Sequence, residues 1–213
     1  MKIGVIGAGG KAGSLIMKEA LDRGHEVTAI VRSAAKVTDP RAKILQKDAF
    51  ELTAADLASF DVVVNAFGAP LGEEHKHVEL GRKLIEAMQG APNTRLIVVG
   101  GAGSLYVDEA KTTRLLDTPE FPEMYKATAS AQAQNLADLQ AAQGIRWTFV
   151  SPAAFFDPQG KRTGAYKLGK DNLIVNAKGQ SYVSYADYAI AIVDEIENPR
   201  HPNTRFTVVS EAE

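Results

Sequence analysis

The chain has 213 residues, of which 45% are hydrophobic, and a formal net charge of −2. This length suits one domain with a buried core, and the near-neutral, interspersed charges exclude the basic stripe of a nucleic-acid-binding protein. No cysteine is present, which excludes disulfides and thiolate metal sites and favours a reducing compartment. The apolar run at the start is too short for a signal peptide, and no stretch approaches the roughly 20 apolar residues of a membrane span. We therefore expect a cytoplasmic protein with neither a nucleic-acid nor a membrane partner.

Short β-branched apolar runs alternate with helical stretches along the first 150 residues. Strands are predicted at 2–6, 25–31, 43–46, 61–66, 95–99 and 146–150, and helices at 12–23, 54–59, 73–88 and 123–142. This alternation is typical of the Rossmann type of α/β fold, a doubly wound, mainly parallel sheet with helices on both faces. After Pro152 the pattern changes to glycine-containing loops, a helix at 185–197 and a strand at 206–209. We expect one domain over 1–213, in which residues 152–213 supply the substrate side.

A glycine-rich turn joins the first predicted strand to the first helix. It reads Gly7-Ala8-Gly9-Gly10-Lys11-Ala12-Gly13. Glycine permits a tight turn and lets a pyrophosphate approach the amides of the helix N-terminus. Two registers fit: Gly7-x-Gly9-x-x-Ala12, the general Rossmann form, and Gly7-x-x-Gly10-x-x-Gly13, the spacing of extended and atypical short-chain dehydrogenases. Both predict that this turn binds a nicotinamide dinucleotide.

The residue after the second predicted strand bears on which dinucleotide binds. A carboxylate there would accept hydrogen bonds from the ribose hydroxyls of NAD, but this chain has Arg32 followed by Ser33. A guanidinium can hold a 2′-phosphate through two charge-assisted hydrogen bonds, and Ser33 and Lys36 could add to it. We therefore expect NADP(H). The alternative is a solvated Arg32, with NAD(H) held by the glycine turn alone.

Five segments together resemble the atypical short-chain dehydrogenase/reductase family, which includes biliverdin reductase B, the nitrogen-metabolite repressors (NmrA-like proteins) and bacterial NADH-flavin reductases. They are 7–13, 64–68, 98–105, 147–153 and 184–189, which span nearly the whole chain. Beyond the glycine turn, the resemblance implies cofactor contacts after later strands: Asp48 and Ala49 near the adenine, Ala66, Phe67 and Gly68 along the ribose and pyrophosphate groove, Gly100, and Ser151 and Pro152 by the nicotinamide. Asp48 is equally well interpreted as a simple turn or cap residue.

Candidate catalytic residues follow the fifth predicted strand. Typical members of the superfamily use a serine together with Tyr-x-x-x-Lys on one helix, where the lysine lowers the phenol pKa. Ser104 matches the serine, but the next helix carries Tyr125-Lys126, with Ala129 where the lysine belongs. Adjacent helical residues point about 100° apart, which argues against the usual proton relay. A second match to the spacing, residues 166–170, lies beyond the sixth strand and is interpreted as coincidence.

Hydride transfer to an electrophilic acceptor makes smaller demands on the protein, because positioning the acceptor over the nicotinamide supplies much of the barrier reduction. Phe155 and Phe156 could stack on a small planar substrate such as FMN, FAD, riboflavin or a quinone, although core or lid packing explains them as well. Lys161 or Arg162 could contact its phosphate. The sequence therefore favours an NAD(P)H-dependent reductase. The alternative is a non-catalytic NADP(H)-binding redox sensor, and the oligomeric state is left open.

Two further sets of polar residues have structural interpretations. His75 and His77 are two residues apart on a predicted helix and would point to different faces, so we expect a solvated helix and no metal site. Asp187 is expected to cap or pack the last helix.

Overall fold

The computed structural model describes all 213 residues, and ten strands and five helices make up its regular structure. The strands are β1 (Lys2–Ile6), β2 (Glu26–Val31), β3 (Lys43–Gln46), β4 (Val62–Asn65), β5 (Arg95–Val99), β6 (Arg146–Ser151), β7 (Phe155–Asp157), β8 (Lys167–Gly169), β9 (Tyr182–Ser184) and β10 (Thr204–Val209). The helices are α1 (Lys11–Asp22), α2 (Ala54–Ala58), α3 (His75–Met88), α4 (Lys126–Ala141) and α5 (Tyr185–Glu197). None of these helices has the length and apolar composition needed to cross a membrane.

Eight strands form the central sheet, in the order β3-β2-β1-β4-β5-β6-β10-β8. All neighbouring pairs are parallel except β10 with β8 at one edge. From β1 the chain builds outward through β2 and β3, then returns to the other side of β1 and continues through β4, β5 and β6. This reversal between β1 and β4 is the Rossmann arrangement, so the predicted fold class is confirmed.

Apolar side chains fill both faces of the sheet, because helices cover each side. Along β4, Val62 and Val64 belong to the core shared with α1 and α5. Val63, which points the opposite way, belongs to the core shared with α2, α3 and α4. Burial on both faces explains why the central strands read as continuous apolar runs in the sequence.

The region after Pro152 contains more regular structure than the predicted loops. β7 and β9 pair in parallel as a separate two-stranded sheet, and β8 extends the central sheet by pairing with β10. Each of these three strands is only three residues long, too short to show a periodic pattern. The predicted helix at 123–142 is also different at its start, since Glu123–Tyr125 form a 3₁₀ turn before α4.

Candidate functional site

The loops that follow β1 and β4 meet at the point where the strand order reverses. Gly7 adopts a left-handed backbone conformation (φ 75°), and a Cβ atom on it would overlap the carbonyl of Ala66. In open α/β sheets, ligands bind in the crevice outside the carboxyl ends of the strands at such a reversal. The fold thus brings two predicted cofactor-binding segments, 7–13 and 66–68, into direct contact.

The glycines of the turn differ in what surrounds them. A Cβ on Gly13 would overlap the carbonyl of Gly7, so this glycine lets α1 begin close against β1. Gly10 is exposed and has an ordinary φ of −84°, and a Cβ on it would meet only the Gly7 oxygen, at 3.3 Å. A Cβ on Gly9 would lie 2.9 Å from the Cβ of Lys36. The steric need for glycine at Gly13 is a requirement of the wider register, Gly7-x-x-Gly10-x-x-Gly13, and which register binds the cofactor stays a prediction.

The first turn of α1 is open to an anion. Gly10 is the N-cap residue and provides no capping side chain. The first amides of a helix have no partner within the helix, and their N–H groups attract negative charge. Lys11 begins the helix, is exposed and forms no ion pair. The turn therefore presents free donors and a cation, as a pyrophosphate requires.

The segment after β2 adds positive charge beside the turn. Arg32 and Ser33 are exposed, and Arg32 has no ion-pair partner. Lys36 is also unpaired, and its Cβ would lie 2.9 Å from a Cβ on Gly9, so its side chain runs along the turn. Lys76 and, more weakly, Arg32 lower the pKa of Glu73. Arg32 and Lys36 are thus two cations beside the glycine turn that form no ion pair.

Asp48, after β3, has the capping role that its sequence context allowed. Its carboxylate accepts a hydrogen bond from the Phe50 amide at 2.9 Å and caps the short 3₁₀ turn that begins at Ala49. The contact with adenine that the family resemblance implies for Asp48 and Ala49 stays a prediction.

The loop after β4 is fixed by contacts that the sequence did not suggest. Asn65 is buried and accepts a hydrogen bond from the Phe67 amide at 3.1 Å. The Phe67 ring packs edge-to-face against Phe50 and His77, with centroid distances of 5.8 and 5.5 Å. His77 also accepts a hydrogen bond from the Ala69 amide, and burial lowers its pKa.

The prediction that both histidines lie on a solvated helix face was therefore wrong for His77. His75 is exposed, but His77 is half-buried and holds the loop after β4. Only the position of α3 relative to this loop reveals the difference, because both residues sit in the same charged stretch of sequence.

The loop after β5 packs closely against the helix position where the usual proton relay has its lysine. A Cβ on Gly103 would lie 2.7 Å from the Cβ of Ala129, the residue at the expected lysine position. Ala129 is buried there. Gly100 is likewise enclosed, since a Cβ on it would overlap the Phe149 ring. The position where the relay would have its lysine is thus a buried alanine, packed closely against the glycine of this loop.

Ser104 lies in this loop and is bound by a charged residue that no sequence motif indicated. Arg205, on β10, is 2% exposed and donates a hydrogen bond to the Ser104 Oγ at 2.8 Å. Its Nε forms an ion pair with Asp171 at 3.1 Å. Burial lowers the pKa of Arg205, which Asp171 partly offsets. The available signal was an arginine inside the apolar run 204–209.

The predicted catalytic residues are not brought together. Tyr125 directly precedes α4, is 55% exposed and makes no side-chain hydrogen bond. Lys126 forms an ion pair with Glu123, with 3.4 Å between Nζ and Oε2. Ser104, by contrast, is buried against Arg205. No hydrogen bond links the serine with the tyrosine or the lysine.

The two adjacent phenylalanines have different environments. Phe155 is 58% exposed and stacks on Tyr182, with a centroid distance of 5.6 Å. Phe156 packs inward against Tyr185 and Tyr188, at 3.9 and 4.8 Å. Phe155 is therefore available to a ligand, whereas Phe156 serves packing. Ser151 and Pro152, which precede them, are buried.

Residues of the loop between β7 and β8 bind to side chains of α1 and α5. Arg162, one of the two residues suggested for contact with a substrate phosphate, forms an ion pair with Glu19 of α1, with 3.1 Å between Nη2 and Oε1. Asp187 is fully buried, and its carboxylate accepts hydrogen bonds from Thr163 and Gly164. Asp187 thus packs α5 against this loop, as predicted.

Comparison with known proteins agrees with this geometry. A family model described as NAD(P)H-binding matches residues 7–199. The uncharacterized protein YwnB of Bacillus subtilis (strain 168) is 69% identical over 213 residues, the full length of both chains. A Streptococcus pneumoniae crystal structure described as a putative NADH-flavin reductase is 48% identical, covers 99% of this chain and 100% of that one, and superposes with a TM-score of 0.94.

A crystal structure from Bacteroides thetaiotaomicron, described as a putative epimerase, is 35% identical and covers 100% of this chain and 99% of that one, with a TM-score of 0.86. The same fold thus occurs in relatives that are described by different activities. Since the family model spans most of the chain and both structural relatives match it from end to end, the chain belongs to the NAD(P)H-binding family of atypical short-chain dehydrogenases/reductases.

Proposed function

We propose that this protein is an NAD(P)H-dependent oxidoreductase that reduces a flavin, a quinone or a similar conjugated acceptor. One observation carries this proposal: two features occur together at the carboxyl ends of the strands. The glycine turn is open to a dinucleotide, and the loop after β5 lacks the Tyr-Lys relay. An acceptor that is already electrophilic needs positioning more than proton donation. The Streptococcus pneumoniae relative, whose description names NADH and flavin, supports this acceptor class.

NADP(H) is the cofactor that the charges of the turn favour. The amides at the start of α1 would bind the pyrophosphate, while the unpaired cations Arg32 and Lys36 would bind the 2′-phosphate. Ala66, Phe67 and Gly68 would line the groove between them, and Asp48 would lie by the adenine. The two cations fit the cofactor because neither forms an ion pair within the chain.

The substrate side is proposed to be formed by residues 152–213. When bound, the cofactor supplies a hydride, and the reduced acceptor takes its proton from water. Phe155 offers an exposed ring on which a planar acceptor can stack, held in place by Tyr182 behind it. Ser151 and Pro152 would set the position of the nicotinamide relative to this ring. The chain's contribution is thus mainly to hold two flat rings face to face.

A non-catalytic NADP(H)-binding redox sensor is the second candidate function. It is favoured by the separation of Tyr125 and Lys126 from Ser104, which leaves no conventional acid–base group beside the cofactor. In that case the exposed Phe155 and the loop after β4 would serve a partner, not a substrate.

Anaerobic mixing distinguishes the two functions. The protein is combined with NADPH or NADH and, in turn, riboflavin, FMN, FAD and a quinone, while nicotinamide absorbance is followed. We expect turnover with at least one of these acceptors, and loss of that turnover in a Gly10→Asp variant, which controls for contaminating enzymes. Tight NADPH binding without turnover on any acceptor would contradict the enzyme proposal and favour the sensor.

A further inference from the structure

A buried arginine lies beneath two serines at the proposed nicotinamide edge. One guanidinium nitrogen of Arg205 donates to Ser104 Oγ at 2.8 Å and to Ser151 Oγ at 3.2 Å. The other terminal nitrogen donates to the Ser104 carbonyl at 3.3 Å. The Nε of Arg205 donates to the Asp171 carboxylate at 3.1 Å, which holds the remaining side of the guanidinium. Arg205, on β10, thus joins the loop after β5 to the end of β6, and it lies 101 residues after Ser104 in the sequence.

The chemistry of these groups determines the direction of each hydrogen bond. A guanidinium has donors only, so both serine oxygens must accept from it. Neither serine hydroxyl donates a hydrogen bond to another group of the chain. Ser151 is fully buried, but Ser104 keeps a small exposed fraction of 7%. Ser104 is therefore the hydroxyl that can offer its hydrogen to a ligand.

The positive charge next to Ser104 makes its hydroxyl a stronger donor. A hydroxyl that accepts from a cation has its own O–H bond polarised, and this effect is larger where water is excluded. Arg205 is 2% exposed, while its counter-ion Asp171 has a side chain that is 41% exposed and thus partly screened by solvent. The charge on the guanidinium is therefore incompletely neutralised at the serine.

We propose that Arg205 is a positioning residue that holds Ser104 as a hydrogen-bond donor to a carbonyl oxygen of the acceptor. This inference rests on the proposed reductase function and narrows its substrate class to conjugated rings that carry a carbonyl, as quinones and flavins do. Hydride addition to the ring breaks the C4–H bond of the reduced nicotinamide and moves an electron pair of the acceptor onto its carbonyl oxygen. The Ser104 hydroxyl stabilises that charge, water supplies the proton, and Arg205 remains protonated throughout.

A double-mutant cycle tests the proposal. Ser104→Ala should lower kcat by about a hundredfold, the range seen when one donor to a developing oxyanion is removed, with NADPH affinity within about twofold of the parent. Arg205→Lys should lower kcat by about tenfold or more in the parent protein. In the Ser104→Ala background the same change should have almost no effect on kcat, because Arg205 acts through the serine hydroxyl. Ser104→Thr, which keeps the hydroxyl, should recover most of the activity.

Two further variants keep the test decisive. Ser210→Ala removes another buried hydroxyl, one without a hydrogen-bond partner, and should leave kcat unchanged. If Arg205→Lys does not fold, Asp171→Ala removes the side-chain acceptor that holds the Arg205 Nε, at a position that is 41% exposed. The guanidinium is then no longer held against Ser104, and kcat should fall severalfold, again only when Ser104 is present. The proposal would be overturned if kcat were equal in the parent and Ser104→Ala. It would also be overturned if the substitution at Arg205 or Asp171 lowered kcat equally with and without Ser104.

A binding measurement separates this inference from the proposed function. Riboflavin is titrated into the protein with NADP⁺ present, and its fluorescence is followed. A lost hydrogen bond of about 1 kcal/mol should weaken binding to Ser104→Ala by about fivefold or more relative to the parent. A parent without turnover on any acceptor would contradict the reductase function, whereas unchanged riboflavin affinity in Ser104→Ala would contradict the donor role of Ser104 whether or not the parent is active.

Discussion

Arg32 is the residue at which the choice between the two nicotinamide cofactors is expected to lie. It follows β2, is exposed and has no ion-pair partner. We predict that NADPH binds more tightly than NADH. Loss of a charge-assisted hydrogen bond costs about 1.5–3 kcal/mol, so Arg32→Ala should weaken NADPH binding about tenfold or more and barely change NADH binding.

Titration of both cofactors into the parent and the variant checks this expectation. Arg146→Ala is the matched control. Arg146 is exposed at the start of β6, and the amino ends of the parallel strands lie on the side of the sheet away from the glycine turn, so this change should not affect either affinity. Equal affinities of the parent for NADPH and NADH would contradict the assignment of Arg32.

Tyr125 is the residue that separates proton donation from positioning. It is exposed, makes no side-chain hydrogen bond and has buried Ala129 one helical turn later. Tyr125→Phe should therefore reduce kcat with a flavin or quinone by less than about tenfold, below the roughly 10²–10⁴ typical of a lost general acid. Steady-state kinetics measure this. A hundredfold loss of kcat with unchanged cofactor affinity would instead identify Tyr125 as the proton donor.

At the scale of elements, the junction of β1 and α1 combines a binding task with a folding task. Gly10 is exposed with an ordinary backbone conformation, and aspartate is a good N-cap residue. Gly10→Asp should therefore keep the fold but abolish cofactor binding, because its carboxylate takes the helix amides and repels the pyrophosphate.

Gly13→Ala makes the contrasting prediction at the same junction. The added methyl group would overlap the Gly7 carbonyl, which is backbone and cannot move aside. We expect this variant to lose about 1–3 kcal/mol of unfolding free energy. Thermal melting and cofactor titration of both variants distinguish the two roles. Normal cofactor binding by Gly10→Asp would show that the pyrophosphate does not bind at this turn.

At the scale of the whole molecule, a buried ionic cluster joins the sheet to α5 and to the segment before β10. Glu195 is 4% exposed and pairs with Arg95 at 2.5 Å and with His201 at 2.7 Å. Burial alone would raise the pKa of Glu195, but the hydrogen bonds from His201 and Arg95 outweigh it and lower that pKa. A carboxyl group whose folded pKa is below its unfolded value stabilises the fold above the unfolded pKa and loses that contribution as pH falls.

We predict that this cluster makes the fold acid-sensitive. The unfolding free energy should fall as pH drops below about 4.5, the range in which Glu195 becomes protonated on unfolding. Glu195→Gln should cost about 3 kcal/mol near neutral pH, because Arg95 keeps a buried charge without its partner, and should flatten this acid dependence. Urea unfolding across that pH range measures both effects, with exposed Glu79→Gln as the control. Parallel pH profiles of the parent and Glu195→Gln would refute the linkage.

The sequence by itself determined the class of fold and the place of the glycine turn. Both are encoded locally: buried parallel strands need contiguous apolar residues such as 62–64, and a tight strand-to-helix turn needs glycine at Gly7 and Gly13. Capping by Asp48 was also predictable, since its carboxylate acts within two positions of a turn start. The sequence indicated that Asp187 caps or packs α5, but its partners Thr163 and Gly164 lie 23–24 residues away and only the fold supplies them.

Only the tertiary structure decided how the site is supported. Arg205 reaches Ser104 across 101 residues, and the His77 ring is held against Phe67 by the position of α3. β7 and β9 are three-residue strands that pair although residues 158–181, which include β8 of the central sheet, lie between them. A local pattern reports burial and turn geometry, but it carries no information on which distant side chain completes a hydrogen bond. Those pairings follow from the packing of the helices on the sheet and from the position of β10 within it.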